Sequence, residues 1–93
     1  MEEQEIKIRL PKEGEIIGVV EEKLGGAHFR VYCMDEKTRL CRIPGAKKRG
    51  LWIELNRVVL VKPWEVQSDD RGDIITKYDH QGVKELVKRG LYK

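Results

Sequence analysis

Apolar and polar residues alternate in short runs along most of this chain, the period-2 signature of half-buried strands. Residues 14–24 set Ile16, Gly18 and Val20 on one face and Ile17 and Val19 on the other, a β-branched run that predicts a long strand. Gly25-Gly26 predicts a tight hairpin turn, because a two-residue loop needs the positive φ that glycine adopts cheaply. The returning stretch Ala27 to Met34 places Ala27, Phe29, Val31 and Cys33 on an apolar face and His28, Arg30, Tyr32 and Met34 on the other. A turn at Asp35-Glu36-Lys37 leads to a third strand, Thr38 to Ile43, with Leu40 and Arg42 on one face and Arg39, Cys41 and Ile43 on the other. Trp52-Ile53 and Arg57 to Val66 predict a fourth strand, interrupted late by Pro63. After an acidic turn at residues 68–72, Asp73 to Tyr78 predicts a fifth.

The period changes only at the end, where Val83, Leu86 and Val87 fall at i, i+3 and i+4, a stripe expected to pack on the strands. Asp79 is the expected N-cap and Gly90 the expected C′ residue. The arm up to Glu13 alternates at Ile6, Ile8 and Leu10 before Pro11, as an edge strand or extended tail would. The expected organisation is an arm over residues 1–13, a barrel over 14–79 and a packed helix over 80–93. Five short strands and one terminal helix predict a mainly β fold, a small closed or partly open barrel.

Composition narrows the class. Ninety-three residues make one domain, and Val58 to Val61, the longest apolar run, falls far short of the 18 or more that cross a bilayer. Met1-Glu2-Glu3-Gln4-Glu5 is too acidic to open a signal peptide, so a soluble, cytoplasmic protein with no membrane partner is expected. Two cysteines without a C-x-x-C pair make neither a disulfide scaffold nor a zinc ribbon.

Charge mapped along the chain changes the picture more. The net charge is only +3, but Lys37 to Arg57 holds seven bases against Glu54, a local +6 on a remainder of −3. Positive charge confined to one segment is a localised anion-binding field, and the commonest large polyanion in a cell is nucleic acid. Arg39 and Arg42 lead into Lys47, Lys48 and Arg49, and Trp52 follows, so phosphate-binding cations and a stacking ring lie within 14 residues. A secondary RNA face is expected from His28, Arg30 and Tyr32, with Lys62 on the fourth strand.

Other chemistries find less support. Cys33 and Cys41 flank a turn centred near Lys37 and are expected to face each other across it, as reduced core thiols or as a redox pair. Neither His28 nor His80 has the spacing to complete a metal site with them. Asp69, Asp70 and Asp73 read as turn formers, without a nucleophile or a His-based triad. No catalytic residue, metal or cofactor is expected.

The run Arg39-Leu40-Cys41-Arg42-Ile43-Pro44-Gly45, followed by Lys47-Lys48-Arg49 and Trp52-Ile53, resembles the core of the translation initiation factor 1A family. Further matches run in order through Val19 to Leu24 with Gly25-Gly26, Val31 to Asp35, Val59-Leu60-Val61 with Pro63-Trp64, and Asp69-Asp70 through Asp73-Ile74-Ile75 to Lys77-Tyr78. The resemblance implies a five-stranded OB-fold barrel of the S1 type with a C-terminal α-helix. It implies non-catalytic, monomeric binding to small-subunit rRNA at the aminoacyl site beside the decoding centre. There the factor would help place mRNA and initiator tRNA with other initiation factors. The family's RNA-contacting loop maps to Lys47, Lys48 and Arg49, with Arg39, Arg42 and Trp52 beside it. Ala46 stands where many relatives carry lysine. Eukaryotic members add a basic N-terminal and a long acidic C-terminal tail, so an archaeal member is the expected match. The alternative within binding modules is a free RNA chaperone of the cold-shock or S1 kind, which needs several exposed aromatic rings. A redox enzyme using the two thiols and an adaptor using the helix are the readings from other classes.

Overall fold

The run Ile16-Ile17-Gly18-Val19-Val20 has β-branched apolar side chains on both sides of Gly18, which a strand tolerates only when both of its faces are covered. In the computed structural model, which describes residues 9–44 and 53–92, that is how the run is used. Strand β1 (Ile16–Gly25) contributes Val20 to the interior of a barrel and Ile17 to a second cluster beneath a helix. The run Val58 to Val61 does the same. In β4 (Val58–Pro63), Val59 and Val61 point into the barrel while Val58 and Leu60 face the helix.

Between these two strands in sequence lie β2 (His28–Cys33) and β3 (Thr38–Arg42), and after them come β5 (Arg71–Lys77) and helix α1 (His80–Lys88). The strands close in the order β1-β2-β3-β5-β4, antiparallel at every seam except the parallel β3–β5 pair. The chain is thus the mainly β, five-stranded barrel with a C-terminal helix that its pattern predicts. Closure leaves no free edge.

The helix ends as its sequence implies. Asp79 accepts from the Gly82 N–H at 2.8 Å, and at the other end Gly90 (φ 76°) lets its own N–H reach the Val87 carbonyl and the Leu91 N–H reach that of Leu86. Leu86 is fully buried against Ile17, Val58, Leu60 and Tyr78. Val87, expected to pack beside it, is instead 49% exposed, while Val83 on the preceding turn is the residue that joins Leu86 against the barrel.

Three local expectations are corrected. The first hairpin turns at Gly26-Ala27 rather than Gly25-Gly26, with φ of 58° and 62° at the two loop residues, so Ala27 takes a left-handed conformation that usually falls to glycine or asparagine. Gly25, at φ 82°, closes β1 next to a register shift. The fifth strand starts at Arg71, two residues early, because Leu40 of β3 pairs with it.

Cys33 and Cys41 do not face each other. The β2–β3 hairpin is centred on Asp35, so Cys41 lies opposite Phe29 and the Cys33 N–H bonds to the Lys37 carbonyl. Both thiols are free and buried, and burial raises Cys33 and pushes Cys41 up to about 12, the nearby Cys33 adding to the effect. Cys41 should therefore react with a thiol reagent at pH 8 on the order of 10³-fold more slowly than a free cysteine, and Cys33 also more slowly, with full reactivity of both returning in denaturant. Fast labelling of either thiol in the folded state would revive the redox reading.

Candidate nucleic-acid interface

Alternation along β3 sends Arg39, Cys41 and Ile43 inward and Leu40 and Arg42 outward. Strand register then builds a row on the outer surface. His28 of β2 pairs with Arg42 of β3, Arg42 with Asp73 of β5, and Asp73 with Lys62 of β4. At the usual strand spacing these four residues span about 14 Å. A second row, one pleat away, runs from Glu22 through Arg30 and Leu40 to Arg71. Tyr32, opposite Thr38, stands on the same face and is 42% exposed.

Two cations on this face are held in place. Arg30 is ion-paired with Glu22, and Arg42 Nε donates to Asp73 Oδ1 at 3.1 Å. Trp64, which follows the end of β4, donates its indole N–H to the same Asp73 oxygen at 2.9 Å. The Arg42 guanidinium lies over the Trp64 ring, 5.0 Å from its centroid, a cation–π contact that fixes both side chains. The sequence reading of the site did not include Trp64. Its signal was present: an aromatic two residues beyond Lys62, and so on the same face of the extended chain, whose pairing the Trp64 N–H continues by donating to the Arg71 carbonyl at 3.1 Å.

Arg39 is the residue on which the site expectation is corrected. It is 3% exposed and its guanidinium forks onto Asp35, with Nη1 to Oδ1 at 3.1 Å and Nη2 to Oδ2 at 2.8 Å, while Nε donates to the Ser68 carbonyl. It joins the β2–β3 turn to the β4–β5 turn, a join that the Leu40 N–H extends by donating to the Asp70 carbonyl at 2.8 Å. The bidentate pair holds the Asp35 carboxyl below its usual range and raises Arg39 further. Arg39 is a structural plug at one end of the barrel and is not offered to a ligand.

Lys47, Lys48, Arg49 and Trp52 lie outside the described residues. The chain on either side of them is firmly placed. Ile43 and Ile53 are both buried in the barrel core, and the Ile43 N–H donates to the Ala27 carbonyl at 3.2 Å. The basic segment therefore follows Arg42, the last residue of β3, within five residues of chain. Among the described residues, no cluster of three or more His, Cys, Asp or Glu side chains is arranged to hold a metal ion. No described helix is long and apolar enough to cross a membrane.

Comparison with known proteins gives this surface its context. The solution structure of bacterial translation initiation factor 1 from the Wolbachia endosymbiont of Brugia malayi superposes with a TM-score of 0.56 at 25% identity, covering 77% of this chain and 85% of that one. Translation initiation factor 1A of Methanococcus aeolicus is 45% identical over 93 residues, 98% of this chain and 89% of the relative. The Methanopyrus kandleri protein of the same name is 51% identical over 84 residues, 90% of this chain and 75% of its own. The family described as Translation initiation factor 1A / IF-1 matches residues 5–93, so this barrel with its cationic face belongs to that family.

Proposed function

We propose that this chain is a non-catalytic initiation factor that docks on the rRNA of the small ribosomal subunit through its β2-β3-β5-β4 face and the adjoining segment Lys47-Lys48-Arg49. The docking site is the aminoacyl site beside the decoding centre, where the bound factor helps place mRNA and initiator tRNA together with other initiation factors. It acts in the cytoplasm as a monomer, with residues 14–79 as the RNA-binding barrel, 1–13 as an arm and 80–93 as a supporting helix. One observation carries the reading: the outward row His28–Arg42–Asp73–Lys62 includes Arg42, the last residue of β3, five residues before the basic segment Lys47-Lys48-Arg49 begins.

The chemistry is electrostatic docking against a fixed RNA shape. Phosphate contacts release counterions, so affinity falls with salt by roughly 0.7 to 0.9 log units per contact for each log unit of salt. A free RNA chaperone would need a broad aromatic platform. Here Phe29 and Tyr78 are buried, and Tyr32 and Trp64 are the described rings on the face. Replacing Lys47, Lys48 and Arg49 together by alanine should weaken co-sedimentation with isolated archaeal small subunits and lower the salt slope by about 2 to 3. Footprinting should show protection in the aminoacyl site with the wild-type chain. Unchanged affinity and slope in the triple variant would overturn the proposal.

A further inference from the structure

Resting on the RNA-face reading, we propose that Arg42 and Trp64 form a two-layer stacking site for one unpaired nucleobase, with Lys62 beside it to take that nucleotide's phosphate. The site is a shallow recess of about 350 Å³ lined by Arg42, Lys62, Pro63, Trp64, Glu65 and Asp73. Its floor is the indole, its upper layer the guanidinium 5.0 Å above the ring centroid. Asp73 fixes both layers through one oxygen, accepting from Trp64 Nε1 and from Arg42 Nε.

That arrangement leaves Arg42 half finished as a binding group. Its side chain is 52% exposed, and among the described residues only Nε donates a hydrogen bond, which leaves both Nη groups without a protein acceptor. A guanidinium plane accepts a stacked base as an aromatic ring does, and its free Nη groups suit acceptor atoms on a base edge. Lys62 lies across Asp73 from Arg42 and makes no ion pair among the described residues. A stacking plane with a lysine at one side is the chemistry of a nucleotide site; a simple anion site has no use for the indole.

The test uses the ¹⁵N-labelled full-length protein, whose two indole N–H resonances are assigned with Trp64→Phe. Titration with single-stranded hexa-adenylate RNA should move the Trp64 indole and Arg42 Nε resonances, and pyrophosphate should leave the indole nearly still. Trp64→Ala, which removes the ring that holds the guanidinium flat beneath the base, should weaken hexa-adenylate binding about 5- to 100-fold, as loss of one stack does, while Trp64→Phe stays within about 3-fold of wild type. Thermal unfolding of both variants separates lost stacking from lost fold, and the phenylalanine variant keeps the ring if alanine proves unstable. An unmoved Trp64 indole at the highest RNA concentration, or an equal shift with pyrophosphate, overturns the stacking site. Co-sedimentation of the wild-type chain with small subunits reports separately on the broader reading.

Discussion

Arg39→Ala is expected to destabilise the protein by about 1–3 kcal/mol, the cost of removing a buried side chain's hydrogen bonds while the exposed Asp35 carboxylate left behind is solvated. The loss has three sources. Asp35 is left without its fork, the Ser68 carbonyl loses its donor, and a cavity opens where a long side chain had been enclosed. Urea denaturation should show a lower midpoint. The pH dependence carries the same signature with a definite sign. The folded-state carboxyl of Asp35 is depressed, chiefly by its hydrogen bonds from Arg39, so its contribution is present above the unfolded value of about 3.9 and is lost as pH falls through the folded value. Asp35→Asn should flatten that acid limb. If Arg39 instead contacted RNA, its alanine variant would keep its stability and lose salt-dependent binding to the small subunit.

Leu86→Ala should cost about 2–5 kcal/mol, a large effect for one aliphatic side chain on a nine-residue helix. Leu86 is fully buried and is the helix's principal anchor among Ile17, Val58, Leu60 and Tyr78, with Val83 only partly buried beside it. The midpoint of thermal unfolding should fall by about 8 °C or more, given roughly 4–8 °C per kcal/mol for a domain of this size. Val87→Ala, one residue along, should change stability by less than about 0.5 kcal/mol, since its side chain is half in solvent. Equal losses at the two positions would mean that the helix packs through a different face.

What the sequence made legible follows from how strongly each residue's environment constrains it. The unbroken apolar run Val58 to Val61 looks over-hydrophobic for a small barrel, and it is so because the strand carries barrel core on one side and helix contact on the other. The helix caps were readable since Asp79 and Gly90 act on their own backbone within a few residues. Arg39 was harder, because its charge argued for the surface while its phase with Cys41 and Ile43 argued for the interior. Burial of Arg39 depends on Asp35 and Ser68, and the latter is brought near only by tertiary folding. The cysteine pairing went astray by the position of a turn centre, a shift of two residues that moves every cross-strand partner. Trp64 became part of the candidate site only when Arg42 and Asp73, far apart in sequence, were seen to converge on it.

The parallel seam between β3 and β5 has a consequence for how the molecule comes together. It is the shortest pairing in the barrel, three register pairs from Leu40–Arg71 to Arg42–Asp73, and its two strands are joined by a long stretch of chain. Parallel pairing is also slightly weaker per residue than antiparallel. Loop-closure entropy makes such a contact slow to form, so the seam is the natural last step of folding and the first place to part in a sub-global opening. Arg42 and Asp73 sit directly across it. The cationic face therefore exists as a surface only while the barrel is shut, which ties the lifetime of the binding-competent state to the kinetics of one short ladder.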